Sequence, residues 1–196
     1  GEVQIGLLSA ATAIAAIAVR PPLGRAMDLH GRRPLILLAS AMNVIVCLLY
    51  LTIDSLGPWA YAVRVAHGLS EATLFTGLFT VAADFVPASR RTEGLALYSA
   101  SGMLPISLGG LLGDAILSRA PYSALFVAAA IAAAASFLLA LPLEERPRAR
   151  HPYDPPRGFV HALAQRDLLP LWFLVTVFGL VLTGVFVFVK RFVMET

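Results

Sequence analysis

Long apolar stretches alternate with short charged ones along this chain, and that alternation predicts its elements. Residues 34–53, 94–113, 120–143 and 168–189 contain no Lys, Arg, Asp or Glu. Each reaches the roughly 20 mainly apolar residues that a bilayer-crossing helix needs. A fifth run, 3–19, extends through Leu23 and is rich in small residues (Ala10, Ala11, Ala13, Ala15, Ala16, Ala18) that permit close helix approach in lipid. A sixth, 60–83, is interrupted by Arg64, His67 and Glu71. The pattern predicts helices over 4–23, 34–53, 60–87, 94–117, 122–143 and 168–189, an all-α polytopic membrane protein.

Composition agrees: 58% of the 196 residues are hydrophobic and only 14% charged, too little polar surface for a soluble domain of this length. The net charge of +3 matters less than its placement. Arg20, Arg25, Arg32, Arg33, Arg90, Arg91, Arg146, Arg148, Arg150, Arg157 and Arg166 fall in alternate connections, whereas the opposite connections hold Arg119, Lys190 and Arg191. The positive-inside rule puts the first group in the cytoplasm and both chain ends outside. A nucleic-acid-binding surface is excluded, because the basic residues are divided among three loops between spans. Cys47 lies in an apolar run and has no second cysteine to pair with. The four histidines (His30, His67, His151, His161) are scattered. No metal-ligand spacing, phosphate-binding glycine loop or nucleophile motif is present, so neither an enzyme nor a metal or other cofactor is expected. No secretory signal precedes the first span, and the chain reads as a fragment cut at both ends.

The most charged stretch, Arg20-Pro-Pro-Leu-Gly-Arg-Ala-Met-Asp28-Leu-His-Gly31-Arg32-Arg33-Pro34, predicts a tight turn between two spans. Gly24 and Gly31 would supply room there, and Pro34 suits the first turn of the next helix. Asp28 stands four residues before Arg32, within reach of a charge-assisted hydrogen bond. The spacing Gly24-x-x-x-Asp28-x-x-Gly31-Arg32-Arg33 resembles the signature between helices 2 and 3 of the major facilitator superfamily of transporters. Ala26 and Leu29 depart from it, where the family usually has Leu and Arg. The resemblance implies that an acid at the position of Asp84 joins Asp28, Arg32 and Arg33 in a conformational charge cluster on the cytoplasmic side.

In the third predicted helix, Arg64, His67, Gly68 and Glu71 recur at i, i+3, i+4 and i+7, which at about 100° per residue places them on one face. Ionisable groups inside a span face a bundle interior or aqueous cavity rather than lipid. A span of 60–83 is about 36 Å long at 1.5 Å per residue, so Glu71 falls near the midplane. The string Arg64-x-x-His67-Gly68-x-x-Glu71-Ala72 resembles the family's helix-4 motif, with His67 replacing Gln. Two roles stay open for Glu71: a protonatable group of the translocation cavity whose charge state Arg64 and His67 set, or one half of a structural ion pair with Arg64. The next helix carries Gly102-x-x-Pro105-x-x-x-Gly109-Gly110, a smooth and bent surface. It looks like a loose version of the Gly-Pro signature of antiporters, lacking Gly before Pro105 and having three rather than two residues before Gly109, and simple helix packing is the equal alternative.

The resemblance spans nearly the whole chain and implies helices 2–7 of an expected twelve. Residues 1–143 would belong to the N-terminal half without its helix 1. Residues 144–167, rich in Pro and Arg, would form a flexible cytoplasmic linker, with 157–166 as a short amphipathic helix on the membrane. Residues 168–196 would hold helix 7, the first of the C-terminal half. The implied function is alternating-access transport of a small molecule, resembling proton-coupled efflux of drugs or metabolites across a bacterial inner membrane. Its partners would be the substrate, protons, the lipid bilayer and the rest of its own chain. A substrate-importing permease (symporter or uniporter) and a non-transporting membrane scaffold or receptor are the alternatives.

Overall fold

A computed structural model describes residues 2–145, 170, 171, 173–179 and 181. The chain forms two compact units, Gly1–Pro147 and Arg148–Thr196. In the second unit the described positions are helical. The expected linker from residue 146 onward, its amphipathic helix and the remainder of the 168–189 span lie outside the described residues. In the first unit five helices run in order: α1 (Glu2–His30), α2 (Arg33–Leu49), α3 (Pro58–Phe85), α4 (Arg91–Leu117) and α5 (Tyr122–Ala140). Short 3-10 turns occupy Tyr50–Thr52 and Ala88–Arg90.

The largest departure from the sequence reading is at the first connection. The predicted turn over 20–34 is instead mostly helix, since α1 continues through Pro21 and Pro22 to His30. Each proline removes one backbone donor, but a chain that unwound inside the membrane would leave many more polar groups without partners. The reversal takes place at Gly31 and Arg32. Gly31 adopts φ 88°, the left-handed conformation that suits glycine, and its N–H donates to the carbonyl of Met27 at 3.1 Å, closing the last turn of α1. Gly24, expected to provide room in the turn, instead sits within α1, and no atom lies within 4 Å of where its side chain would begin. At the other end of α2, Trp59 Nε1–H donates to Thr52 Oγ1 at 2.8 Å across the connection to α3.

α3 packs against both α1 and α2, α5 covers another side of α2, and α4 touches α3 and α5 more lightly. Lipid supplies no hydrophobic drive between helices, so close packing of small surfaces must hold them together. At Gly68 a side chain would run into the backbone carbonyl of Thr12 on α1. At Gly77 it would meet Ile36 at 2.7 Å and Met27 at 3.0 Å. The core between these helices includes Leu23, Met27, Ile36, Ala39, Val46, Val63 and Ala72. Leu38, Leu48, Leu111 and Leu138 remain exposed, as residues facing hydrocarbon would be.

Among the described residues four segments are long and apolar enough to cross a membrane: Gly6–His30, Arg33–Thr52, Ala88–Leu117 and Tyr122–Ala140. α3 has the length, 28 residues, but not the apolarity. Its Arg64, His67, Ser70 and Glu71 are the reason, and its inner position shields part of that polarity from lipid.

Candidate functional site

Two charged groupings stand out in the first unit, one at the end where α1 and α3 finish and one within α3. At the first, the Gly31 reversal brings Arg32 beside the last turn of α3, and its guanidinium forms an ion pair with Asp84. Arg33 Nη2 donates to the carbonyl of Leu141 at 2.9 Å, just beyond α5. Asp28 lies exposed in the last turn of α1. The cluster expected from the sequence therefore has its members at adjoining helix ends, with the Arg32–Asp84 pair formed directly.

Glu145 completes this grouping and was not anticipated. It follows α5 after Pro142, and its two carboxylate oxygens accept the backbone N–H groups of Arg32 at 2.7 Å and Arg33 at 2.9 Å. Those N–H groups open α2 and have no partner within the helix, and an anion there also meets the positive end of the helix dipole. A side chain at position 31 would begin 2.9 Å from the same carboxylate. Gly31 is thus required twice, once by its φ and once by Glu145. The sequence signal for Glu145 was weak: an acid just past a span reads as the start of a solvated linker.

The second grouping lies on α3. Arg64 and His67 are half-buried, Gly68 is buried against α1, and Glu71, one turn on, is exposed. Arg64 does not pair with Glu71: among the described residues no ion pair joins them. Its guanidinium carbon instead lies 5.6 Å from the centre of the Tyr50 ring, and its Nε is buried without a hydrogen-bond partner. Tyr50 hydrogen-bonds His67 Nδ1 at 2.8 Å and stacks on Phe126 of α5, with ring centres 5.0 Å apart and planes 10° from parallel. Ser70 is buried, donating to the carbonyl of His67 at 2.9 Å and reaching Asn43 at 3.4 Å. Tyr50, Asn43, Ser70 and Phe126 escaped the sequence reading, because a Tyr or Asn in an apolar run carries no periodic signal. The result is a graded stripe: aromatic rings and a polar network hold Arg64 and His67, while the carboxylate of Glu71 stands outside both.

The third feature, on α4, leaves Gly102, Pro105, Gly109 and Gly110 all exposed, with nothing within 4 Å of the three glycines' missing side chains. Pro105 lies inside the continuous helix Arg91–Leu117. Among the described residues no group of His, Cys, Asp and Glu is arranged to hold a metal.

Comparison with known proteins assigns the family. The model described as Major Facilitator Superfamily matches residues 1–196, the entire chain, and the chain belongs to that family. No curated protein matches it. The chain is therefore a multi-pass membrane protein of a family of secondary transporters, whose members move small molecules across the membrane.

Proposed function

We propose that this member of the superfamily is a proton-coupled exporter of drugs or small metabolites in a bacterial inner membrane, working by alternating access. The observation that carries the reading is Glu71. A carboxylate in the middle of a span, exposed on its helix and without an ion pair among the described residues, is costly to maintain. It suits a group that takes up and gives back a proton as the cavity opens to one side and then the other. Arg64 and His67, two turns and one turn away and held by Tyr50, stand on the same face of α3 without locking the carboxylate into a permanent pair.

The charge cluster at the Gly31 end is read as the cytoplasmic latch of the outward-open state, with Asp28, Arg32, Arg33 and Asp84 as its members. Glu145 supports this reading by fixing the start of α2, so that Arg32 points toward Asp84. The positive-inside bias supports a cytoplasmic position for this end. The open glycine stripe of α4, with its likeness to the antiporter signature, supports exchange over uniport.

The test uses everted membrane vesicles containing the full-length protein and energised to an acidic interior, which acridine orange reports by quenching. Addition of an exported compound should dequench the dye, as protons leave in exchange. Compounds that enter by way of this protein without moving protons, or that deepen the quench, would overturn proton-coupled export.

A further inference from the structure

The sequence reading placed Arg20 in a cytoplasmic turn, but the continuation of α1 to His30 puts it well inside the helix. Arg20 stands ten residues before His30, about 15 Å along the axis at 1.5 Å per residue. Its guanidinium carbon lies 5.9 Å from the centre of the Phe75 ring on α3. Phe75 stands ten residues before the end of α3 at Phe85, again about 15 Å. Both helices thus put the charge at the same level, about 15 Å back from the ends of α1 and α3. Glu71 is four residues before Phe75, hence its neighbour on the helix surface, and Arg20, Phe75 and Glu71 are all exposed.

The charge count on this face is uneven. Arg64 lies on one side of Glu71 along α3 and Arg20 at the level of Phe75 on the other. Among the described residues neither guanidinium forms an ion pair with the carboxylate. A guanidinium does not shed its charge in proteins, so among Arg20, Arg64 and Glu71 one positive charge is left over even with Glu71 ionised. Phe75 adds an aromatic surface beside it, 63% exposed.

We propose that the face formed by Arg20, Phe75 and Glu71 is a substrate subsite for a small organic anion, whose carboxylate or other acidic group meets Arg20 and whose apolar part lies on Phe75. The proposal rests on the transporter reading and narrows its cargo to anions. Arg20 would then be neutralised by the cargo, and a protonated Glu71 would favour the cargo's entry by removing the competing negative charge.

Local charge can be read without knowing the natural substrate. In the full-length protein carrying Cys47→Ala, Leu78→Cys places a thiol seven residues from Glu71 on the same stripe of α3. Its reaction is measured in phosphatidylcholine vesicles with an anionic and a cationic methanethiosulfonate, 2-sulfonatoethyl and 2-trimethylammonioethyl, each rate normalised to free cysteine. We expect the anionic reagent to be favoured by on the order of fivefold, as a nearby unscreened charge would produce. Arg20→Gln should abolish the preference and Arg20→Lys retain it. Benzoate should slow the anionic reagent, and benzylammonium should not.

Preference for the cationic reagent, no reaction with either, or a ratio unchanged by Arg20→Gln would overturn the subsite. So would protection by added phosphatidylglycerol in place of benzoate, which would assign Arg20 to a lipid headgroup. Should Arg20→Gln not fold, the benzoate and benzylammonium arms on Leu78→Cys alone decide. The ratio reports charge whether or not the protein moves protons, so its failure is distinct from failure of the exporter reading.

Discussion

The two charged groupings of the first unit use similar residues to opposite ends. At the Gly31 end, Arg32 has Asp84, Arg33 has the Leu141 carbonyl, and the first N–H groups of α2 have Glu145. Within α3, among the described residues, Arg64 keeps an unpartnered Nε and Glu71 forms no ion pair. Satisfied charges at helix ends make a joint that holds one arrangement until its partners separate. Unsatisfied charges inside the membrane are a standing cost, which a proton or a bound ion can relieve. On the proposed function, the difference separates a conformational fastening from a binding and coupling site more clearly than residue type does.

The comparison is sharpened most by disturbing the scaffold that both groupings share. Gly68→Val should separate α1 from α3, because its side chain would overlap the Thr12 carbonyl. Overpacking of this kind costs about 1–3 kcal/mol, occasionally more. The expected result is loss of folded protein, measured as the monodisperse fraction in detergent, while Gly24→Ala at its open position leaves that fraction unchanged.

A smaller effect is expected at the joint. Glu145→Ala leaves the Arg32 and Arg33 N–H groups to water, and losing hydrogen bonds to a charged partner costs about 1.5–3 kcal/mol. The protein should fold, yet cysteines introduced on the cytoplasmic side should label faster as the outward-open state loses its fastening. Asp28→Asn should act in the same direction and reduce transport. Unchanged labelling with wild-type turnover in both variants would remove the latch. Tyr50→Phe should have the least effect: it keeps the stack on Phe126 and deletes one hydrogen bond to His67, worth about 1 kcal/mol. A slight fall in melting temperature with transport retained is the expected outcome.

Apolar length revealed the described helices well, because it is a property of runs of residues. The motif spacing likewise identified Arg32, Asp84, Arg64 and Glu71 as residues to watch. What the sequence concealed depends on contacts between distant segments. Pro21 and Pro22 look like a break in the chain, and only the surrounding lipid makes a continuous helix the cheaper choice, so Arg20 was misplaced by three turns. Glu145 looks like part of a linker until the α2 N-terminus is seen beside it. The alternative pairing of Arg64 with Glu71 was equally compatible with the i, i+7 spacing. It is Tyr50, on another helix, that draws the guanidinium elsewhere.

The central claim is that Glu71 couples transport to protons, and one variant tests it. Full-length wild-type protein and Glu71→Gln are reconstituted side by side, with a compound that dequenched acridine orange in the vesicle screen. Accumulation driven by a pH gradient is then compared with counterflow at equal pH. The account predicts that Glu71→Gln loses gradient-driven accumulation while keeping counterflow, and that its counterflow no longer varies with pH. Gradient-driven accumulation at the wild-type level in Glu71→Gln would contradict it.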